Sequence, residues 1–312
     1  MKLDREASFY LAGHGGMVGS AIMRRLKAAG FENLVTRTSE ELDLTDRQKV
    51  AGFFQEVRPR YVVLAAARVG GILANDTYSA DFLSENLQIQ VNVMDAALAV
   101  GVERLAFMGS SCIYPKFADQ PINETALMTG HLEPTNEAYA VAKIAGLKHV
   151  QAIRKQHGLN WMSIMPSNLY GPGDNYTEGA SHVLPALIRR YSEAAEANES
   201  LVVNWGTGTP LRELMYVDDL ADATLFLMEN YDDDSHVNVG TGKDLTIRQI
   251  AELVAKAVGY EGETRWDQTK PDGTPRKVLD ISRIESMGWA PKVALEDGIR
   301  LAVADFKKRF GA

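Results

Sequence analysis

The sequence predicts an α/β protein built on a doubly wound parallel sheet, with a smaller α/β lobe formed by its C-terminal part. Three observations predict it. Strand-length apolar runs alternate with helix-length stretches through the first half of the chain. Gly13, Gly16 and Gly19 stand between the first apolar run and the first helical stretch. After Pro166 the texture changes to turn-rich segments, short strands and isolated helices.

The elements follow in order. Residues 8–12 form a short strand ending in the glycine turn, and 18–29 a helix closed by Gly30. Residues 34–36 are a second strand, and 47–56 a helix. Residues 61–67 are apolar throughout, as strands buried on both faces of a parallel sheet are. A long helix over 81–100, a strand over 104–109, a helix over 138–156 and a strand over 161–165 complete the alternation. Residues 1–167 are assigned to the first domain and 168–312 mainly to the second, with a segment such as 214–228 returning to the first. The second part includes a helix over 245–258. Open α/β sheets bind ligands beyond the carboxyl ends of their strands, so the second lobe is expected over that edge.

At 312 residues, 46% of them apolar, the chain can bury a large core and divide into two lobes. A net charge of −8 argues against nucleic acid or an anionic membrane as the main partner. An anionic small molecule needs only local Arg and Lys. Cys112 is the single cysteine, so no internal disulfide forms and a reducing compartment fits. The first residues carry acids where a signal peptide needs an apolar run, and no apolar run spans a bilayer. A soluble, cytoplasmic protein is expected. No metal-ligand spacing is visible, and His14, His131, His149, His157 and His236 receive no role.

The glycine turn has the spacing that lets backbone approach a pyrophosphate at a helix N-terminus. NAD-binding versions place an acid at the end of the second strand. Here that stretch is Val35-Thr-Arg37-Thr-Ser39, and an arginine suits the 2′-phosphate of NADPH. Asp43 either touches the adenine end or caps a helix. Ala65, Ala66 and Ala67 leave room beside the turn, or simply pack. Tyr139 and Lys143 lie four apart on one helix face, so the ammonium can sit beside the phenol and bring its pKa down toward neutrality. With the Ser110 hydroxyl to hold a carbonyl oxygen, they form a proton-transfer set for hydride exchange with a nicotinamide.

These residues resemble the extended short-chain dehydrogenase/reductases, which share a Rossmann-type fold. Within that family they are similar to the epimerase-reductases of GDP-4-keto-6-deoxy sugars. The resemblance rests on Gly13 to Ile22, Ala65 to Ile72, Ser110-Ser-Cys-Ile-Tyr-Pro115 and Tyr139-Ala-Val-Ala-Lys143. It continues through Pro166 to Pro172, Ser181-His-Val-Leu-Pro185, Trp205 to Glu213 and Asp272 to Lys277, in family order over nearly the whole chain. It implies that Ser110, Tyr139 and Lys143 serve reduction, and that Cys112 and His182 serve epimerisation. It implies cofactor contacts from Gly13, Gly16, Met17, Val18, Gly19, Arg37, Asp43, Leu44, Ala65 to Ala67, Tyr139, Lys143, Pro166, Asn168, Leu169 and His182. It places Asn168, Val183, Leu187, Arg190, Trp205, Arg212 and Lys277 around the GDP-sugar, and makes the protein a homodimer through a four-helix bundle of helices 81–100 and 138–156.

The family usually has arginine where Gly15 and Ser39 stand, which leaves Arg37 as the visible partner of a 2′-phosphate. NADPH is expected, with NADH use left open. By residue type alone, Cys112 could be a small buried apolar group, and Arg212 and Lys277 solvated charges. Dehydratases of this fold carry an Asp-Glu pair where Ser111 and Cys112 stand, so dehydration is disfavoured. A simple 4-epimerase has no use for Cys112 and His182. A 5-epimerase-reductase making GDP-L-colitose differs only in a substrate hydroxyl. A non-enzymatic nucleotide sensor is expected to have lost Tyr139 or Lys143, and both are present.

Overall fold

A computed structural model describes residues 2–178, 181–270 and 272–311. The chain opens with β1 (Phe9–Ala12), α1 (Met17–Ala28), β2 (Leu34–Val35), α2 (Arg47–Val57) and β3 (Tyr61–Leu64). It continues through α3 (Ile72–Thr77), α4 (Ser79–Val100), β4 (Arg104–Met108), α5 (Glu137–His157) and β5 (Met162–Pro166). Next come β6 (Asn168–Tyr170), α6 (Val183–Glu196), β7 (Leu201–Trp205), β8 (Leu211–Tyr216), α7 (Val217–Asn230) and β9 (Val237–Val239). The last elements are β10 (Asp244–Thr246), α8 (Ile247–Val258), β11 (Glu263–Asp267), β12 (Arg276–Lys277), α9 (Ser282–Ser286) and α10 (Leu295–Phe310).

The central sheet has the order β2-β1-β3-β4-β5-β9, and every pairing is parallel. Side chains alternate faces along a strand. Phe9, Leu11, Tyr61, Val63, Ala106 and Met108 therefore enter one apolar core, shared with α1 and α7. Tyr10, Val62, Leu64, Leu105 and Phe107 enter a second core on the opposite face, under α2, α4 and α5. Two buried faces explain why these strands read as unbroken apolar runs. The strand order reverses between β1 and β3, which opens a crevice at their carboxyl ends.

Beyond β5 the chain builds smaller sheets: β10-β8-β12 with β6 beside β8, and a parallel β7–β11 pair. A third apolar core gathers residues of α6, α8 and α10, among them Leu184, Tyr191, Ile250, Val254 and Phe306. Residues 214–228 divide between two places. Those up to Tyr216 complete β8 in the second region, whereas α7 packs on α1 and against β4 and β5.

Some element limits differ from the sequence expectation. β3 stops at Leu64, and the Ala65 amide still donates to the Ala12 carbonyl at 3.0 Å, so 65–67 leaves the sheet beside the glycine turn. The helix expected from 245 starts at Ile247, because Thr246 ends a strand and forms a reciprocal capping box with Gln249. Strand β9 is only three residues long, too short to register as a period in the sequence. Among the described residues, no helix is long and apolar enough to cross a membrane.

Candidate active site

The glycine turn is fixed by close contacts that leave no room for side chains. A Cβ on Gly19 would lie 2.0 Å from the Gly13 carbonyl oxygen. One on Gly13, whose φ is +87°, would lie 2.6 Å from the Ala66 amide. The turn thus brings the ends of β1 and β3 together at the crevice. Helix α1 begins after Gly16 without a capping side chain, so its first-turn N–H groups, Met17 and Val18 included, lack intrahelical partners. Free donors at a helix N-terminus, with the small Ala65 to Ala67 alongside, fit a dinucleotide pyrophosphate.

At the adenosine end, Arg37 donates to the Thr36 carbonyl at 2.8 Å and lies 5.3 Å from the Phe53 ring centroid. Asp43 does not cap a helix. Its carboxylate accepts from the Thr45 amide and hydroxyl, and Asp46 is the residue that caps α2. Leu44 is half-buried and its carbonyl is taken by the Asn92 amide at 3.0 Å. Gly15 is exposed, and nothing lies within 4 Å of where its Cβ would be.

The reductive set gathers where β4 ends and α5 begins. Ser110 follows β4, and its hydroxyl oxygen accepts from the Cys112 amide at 3.2 Å. The Tyr139 phenol, one turn into α5, hydrogen-bonds with Ser110. Lys143 is buried. Its ammonium donates to the Met108 carbonyl at 2.8 Å and stands 5.7 Å from the Tyr139 ring centroid. Burial pushes the Lys143 ammonium down to about 8. The Tyr139 pKa moves upward, against the sequence expectation that Lys143 would lower it. Burial of the phenol is the largest cause, the nearby Cys112 adds to it, and the Ser110 hydrogen bond opposes it.

A second group of polar side chains meets at Cys112. Its sulfur accepts from the Asn136 amide at 3.3 Å and from the Lys277 ammonium at 3.6 Å. Lys277 comes from β12, which runs parallel to β8 with Lys277 opposite Arg212. The resemblance put Lys277 beside the GDP-sugar; the structure puts its ammonium at the cysteine. His182 precedes α6 at the N-cap position and gives no capping bond. The residue as a whole is exposed. Desolvation by the surrounding chain, and then the Lys277 charge, hold its imidazole below the usual range. Asn136 gave no sequence signal beyond lying one turn before Tyr139 on the same helix start.

The expected sugar-nucleotide residues separate into two sets. Trp205 is 67% exposed at the end of β7, with the Lys270 ammonium 5.5 Å from its ring centroid. Arg212 is half-buried on β8, donates to the Leu211 carbonyl, and feels the Asp272 charge. The Asn168 amide donates to the Glu213 carbonyl, and half-buried Val183 opens α6. Arg190 is already engaged, donating to the Asn204 side chain at 2.7 Å. Leu187 is packed in the third core with Leu184 and Tyr191, since α6 turns that stripe inward. Pro166 is buried at the end of β5, and Leu169 half-buried on β6.

Sequence reading passed over Glu213 as anything but the end of a motif. Its carboxylate is fully buried and accepts from the amides of Thr241, Gly242 and Leu279 at 2.5, 2.9 and 2.8 Å. It thereby ties β8 to the loops before β10 and after β12. Among the described residues, no group of three or more His, Cys, Asp or Glu is placed to hold a metal ion.

A parallel sheet with a glycine turn at its switch point and a Ser-Tyr-Lys set above β4 defines a nicotinamide-dependent enzyme of the short-chain dehydrogenase type. The chain belongs to the NAD dependent epimerase/dehydratase family, which it matches over residues 9–240. It is similar to a probable GDP-L-fucose synthase 1 of Oryza sativa subsp. japonica, 60% identical over 95% of this chain and 90% of that one. It is 58% identical to a GDP-L-fucose synthase 1 of Arabidopsis thaliana, covering 95% of this chain and 92% of that one. Among solved structures it is similar to a GDP-L-fucose synthetase from Naegleria fowleri bound to NADP, with a TM-score of 0.92 and 26% identity. That match covers 100% of this chain and 96% of the other.

Proposed function

We propose that this chain converts GDP-4-keto-6-deoxy-D-mannose to GDP-L-fucose, by epimerisation at C3 and C5 followed by NADPH-dependent reduction at C4. The observation that carries it is the junction at Cys112. A cysteine held by Asn136 and Lys277 stands two residues from the serine that hydrogen-bonds the reductive tyrosine. High identity to proteins named GDP-L-fucose synthase supports the same reading.

A ketone at C4 acidifies the protons on both neighbouring carbons. Removing one develops negative charge on the C4 oxygen, where Ser110 and Tyr139 donate hydrogen bonds. Each inversion takes a proton from one face and returns one to the other, which requires two groups; Cys112 and His182 serve as the pair. The raised Tyr139 pKa keeps the phenol protonated at neutral pH, the form a reduction consumes. NADPH, when bound, supplies the hydride for C4. Tyr139 gives its proton to the C4 oxygen, and the Lys143 ammonium beside it offsets the phenolate charge.

Trp205 offers an exposed ring for the guanine to stack on, and Arg212 a cation for the diphosphate. The protein is assigned to the cytoplasm, where its one free cysteine stays reduced. It assembles as a homodimer in which α4 and α5 pair with the same helices of a second copy.

The deciding experiment is product analysis after incubation with GDP-4-keto-6-deoxy-D-mannose and NADPH in deuterated water. Deuterium at both C3 and C5 of GDP-L-fucose is expected. Deuterium at C5 alone would move the reading toward colitose-type chemistry. Reduced sugar without carbon-bound deuterium would make this a plain 4-ketoreductase and remove the roles of Cys112 and His182.

A further inference from the structure

We propose that Lys277 is a positioning residue for Cys112: its ammonium, with the Asn136 amide, holds the sulfur in its reactive state and place before any substrate arrives. The proposal rests on the epimerase reading of Cys112 and extends it to a residue that the resemblance gave to the GDP-sugar.

The geometry begins with strand alternation. β12 is two residues long, and its neighbouring side chains point to opposite faces. Arg276 turns one way and donates to Asp244 at 2.6 Å. Lys277 turns the other way, toward Cys112. Among the described residues no carboxylate lies within ion-pair distance of Lys277, so its charge is not neutralised by an acid. Among the described residues it faces the Cys112 sulfur and, through its charge, the His182 imidazole. Tyr139 is the other titratable group facing Cys112, and it is neutral at physiological pH.

A half-buried cation with no acid beside it is costly unless an anion takes part in the site. A sulfur that removes a carbon-bound proton must itself carry negative charge first, and an adjacent ammonium stabilises that charge. The position of Lys277 is enforced from behind. Its strand is in register with Arg212 on β8, and the buried Glu213 carboxylate accepts from the Leu279 amide two residues further on. The ammonium is therefore presented by backbone anchored on both sides rather than by a free loop.

Cys112 is the only cysteine, so alkylation of the substrate-free protein by iodoacetamide reports on this sulfur alone. The wild type is expected to react at neutral pH at least as fast as free cysteine, despite its partial burial. Lys277→Gln is expected to slow labelling by about ten-fold, the effect of one adjacent charge on thiol reactivity. Lys277→Arg, which keeps the charge, should stay within about two-fold of wild type. Three results would each overturn the proposal. One is labelling of Lys277→Gln at the wild-type rate. Another is Lys277→Arg labelling as slowly as Lys277→Gln. The third needs no variant and covers the case of misfolding: wild-type Cys112 reacting much more slowly than free cysteine. A residue serving only the diphosphate would raise KM for the GDP-sugar and leave labelling unchanged. Because alkylation uses no substrate, failure here is distinguishable from failure of the GDP-sugar reading, which product analysis tests.

Discussion

At the scale of single residues, Lys143 shows stability being exchanged for chemistry. Burial lowers its ammonium from 10.5 to about 8. A lysine whose folded pKa lies below its unfolded one weakens the fold at neutral pH, and the penalty fades as pH rises from about 8 to 10.5. A shift of that size corresponds to about 3 kcal/mol, against roughly 1.5–3 kcal/mol for the charge-assisted hydrogen bond to the Met108 carbonyl. At the upper end of that range the bond offsets the burial cost, and below it the burial cost is the larger. Lys143→Met should therefore raise the melting temperature at neutral pH while cutting NADPH oxidation by at least about a hundred-fold. Calorimetry and the loss of NADPH absorbance check the two halves; a lower melting temperature would show that the bonds of Lys143 outweigh its desolvation. Tyr139, Lys143 and Ser110 were legible in the sequence because a helix turn and a strand end are local geometry. The direction of the Tyr139 shift was not, because it depends on how much of the molecule closes around the phenol. Asn136 and Lys277 at Cys112 were invisible for a related reason: the sulfur to Lys277 contact joins residues 165 apart in sequence.

At the scale of elements, the loop between β6 and α6 depends on α10. Asp174 in this loop is buried, and burial pushes its carboxyl from 3.8 up to about 7, with Asp305 of α10 adding to the rise and Arg309 opposing it. Arg309 also donates to the Asp174 carbonyl at 2.9 Å, and Asp305 accepts from the Gly173 amide at 3.2 Å. An acid with a raised folded pKa favours the folded state while protonated. Its contribution is present at low pH and is lost as pH rises from about 4 to about 7. Asp174→Asn should therefore be more stable than wild type at pH 8 by up to a few kcal/mol, with the difference vanishing toward pH 4. Urea unfolding at several pH values tests this, and parallel profiles for the two proteins would sink it. The central elements were readable because β1, β3, β4 and β5 are buried on both faces and are mostly apolar, Arg104 and Ser163 being the polar exceptions in β4 and β5. Short strands such as β9, β10 and β12 were not. Two or three residues hold no period, and their pairing is set by partners such as Glu213 rather than by their own sequence.

At the scale of the whole molecule, the outstanding question is what covers α4 and α5. The two helices pack side by side, tied by the Gln90 amide donating to the Ala142 carbonyl at 2.7 Å. Their outward faces leave Val91 and Val141 exposed at 37% and 42%. A two-fold pairing of this face would form a four-helix bundle and cover both valines in each copy. Every proposed catalytic group comes from a single chain, with Ser110 and Cys112 after β4, Tyr139 and Lys143 on α5, and His182 before α6. Pairing is therefore expected to support α5 from outside rather than to complete the site. Light scattering at micromolar concentration should give twice the chain mass for wild type and the single-chain mass for Val91→Glu, since a carboxylate on the covered face of each copy is costly to bury. The variant should melt at a lower temperature yet keep measurable reduction of the GDP-sugar. A monomeric wild type would remove the dimer. A monomeric variant that folds but has no activity would mean instead that the second copy holds α5, and with it Tyr139 and Lys143, in working position.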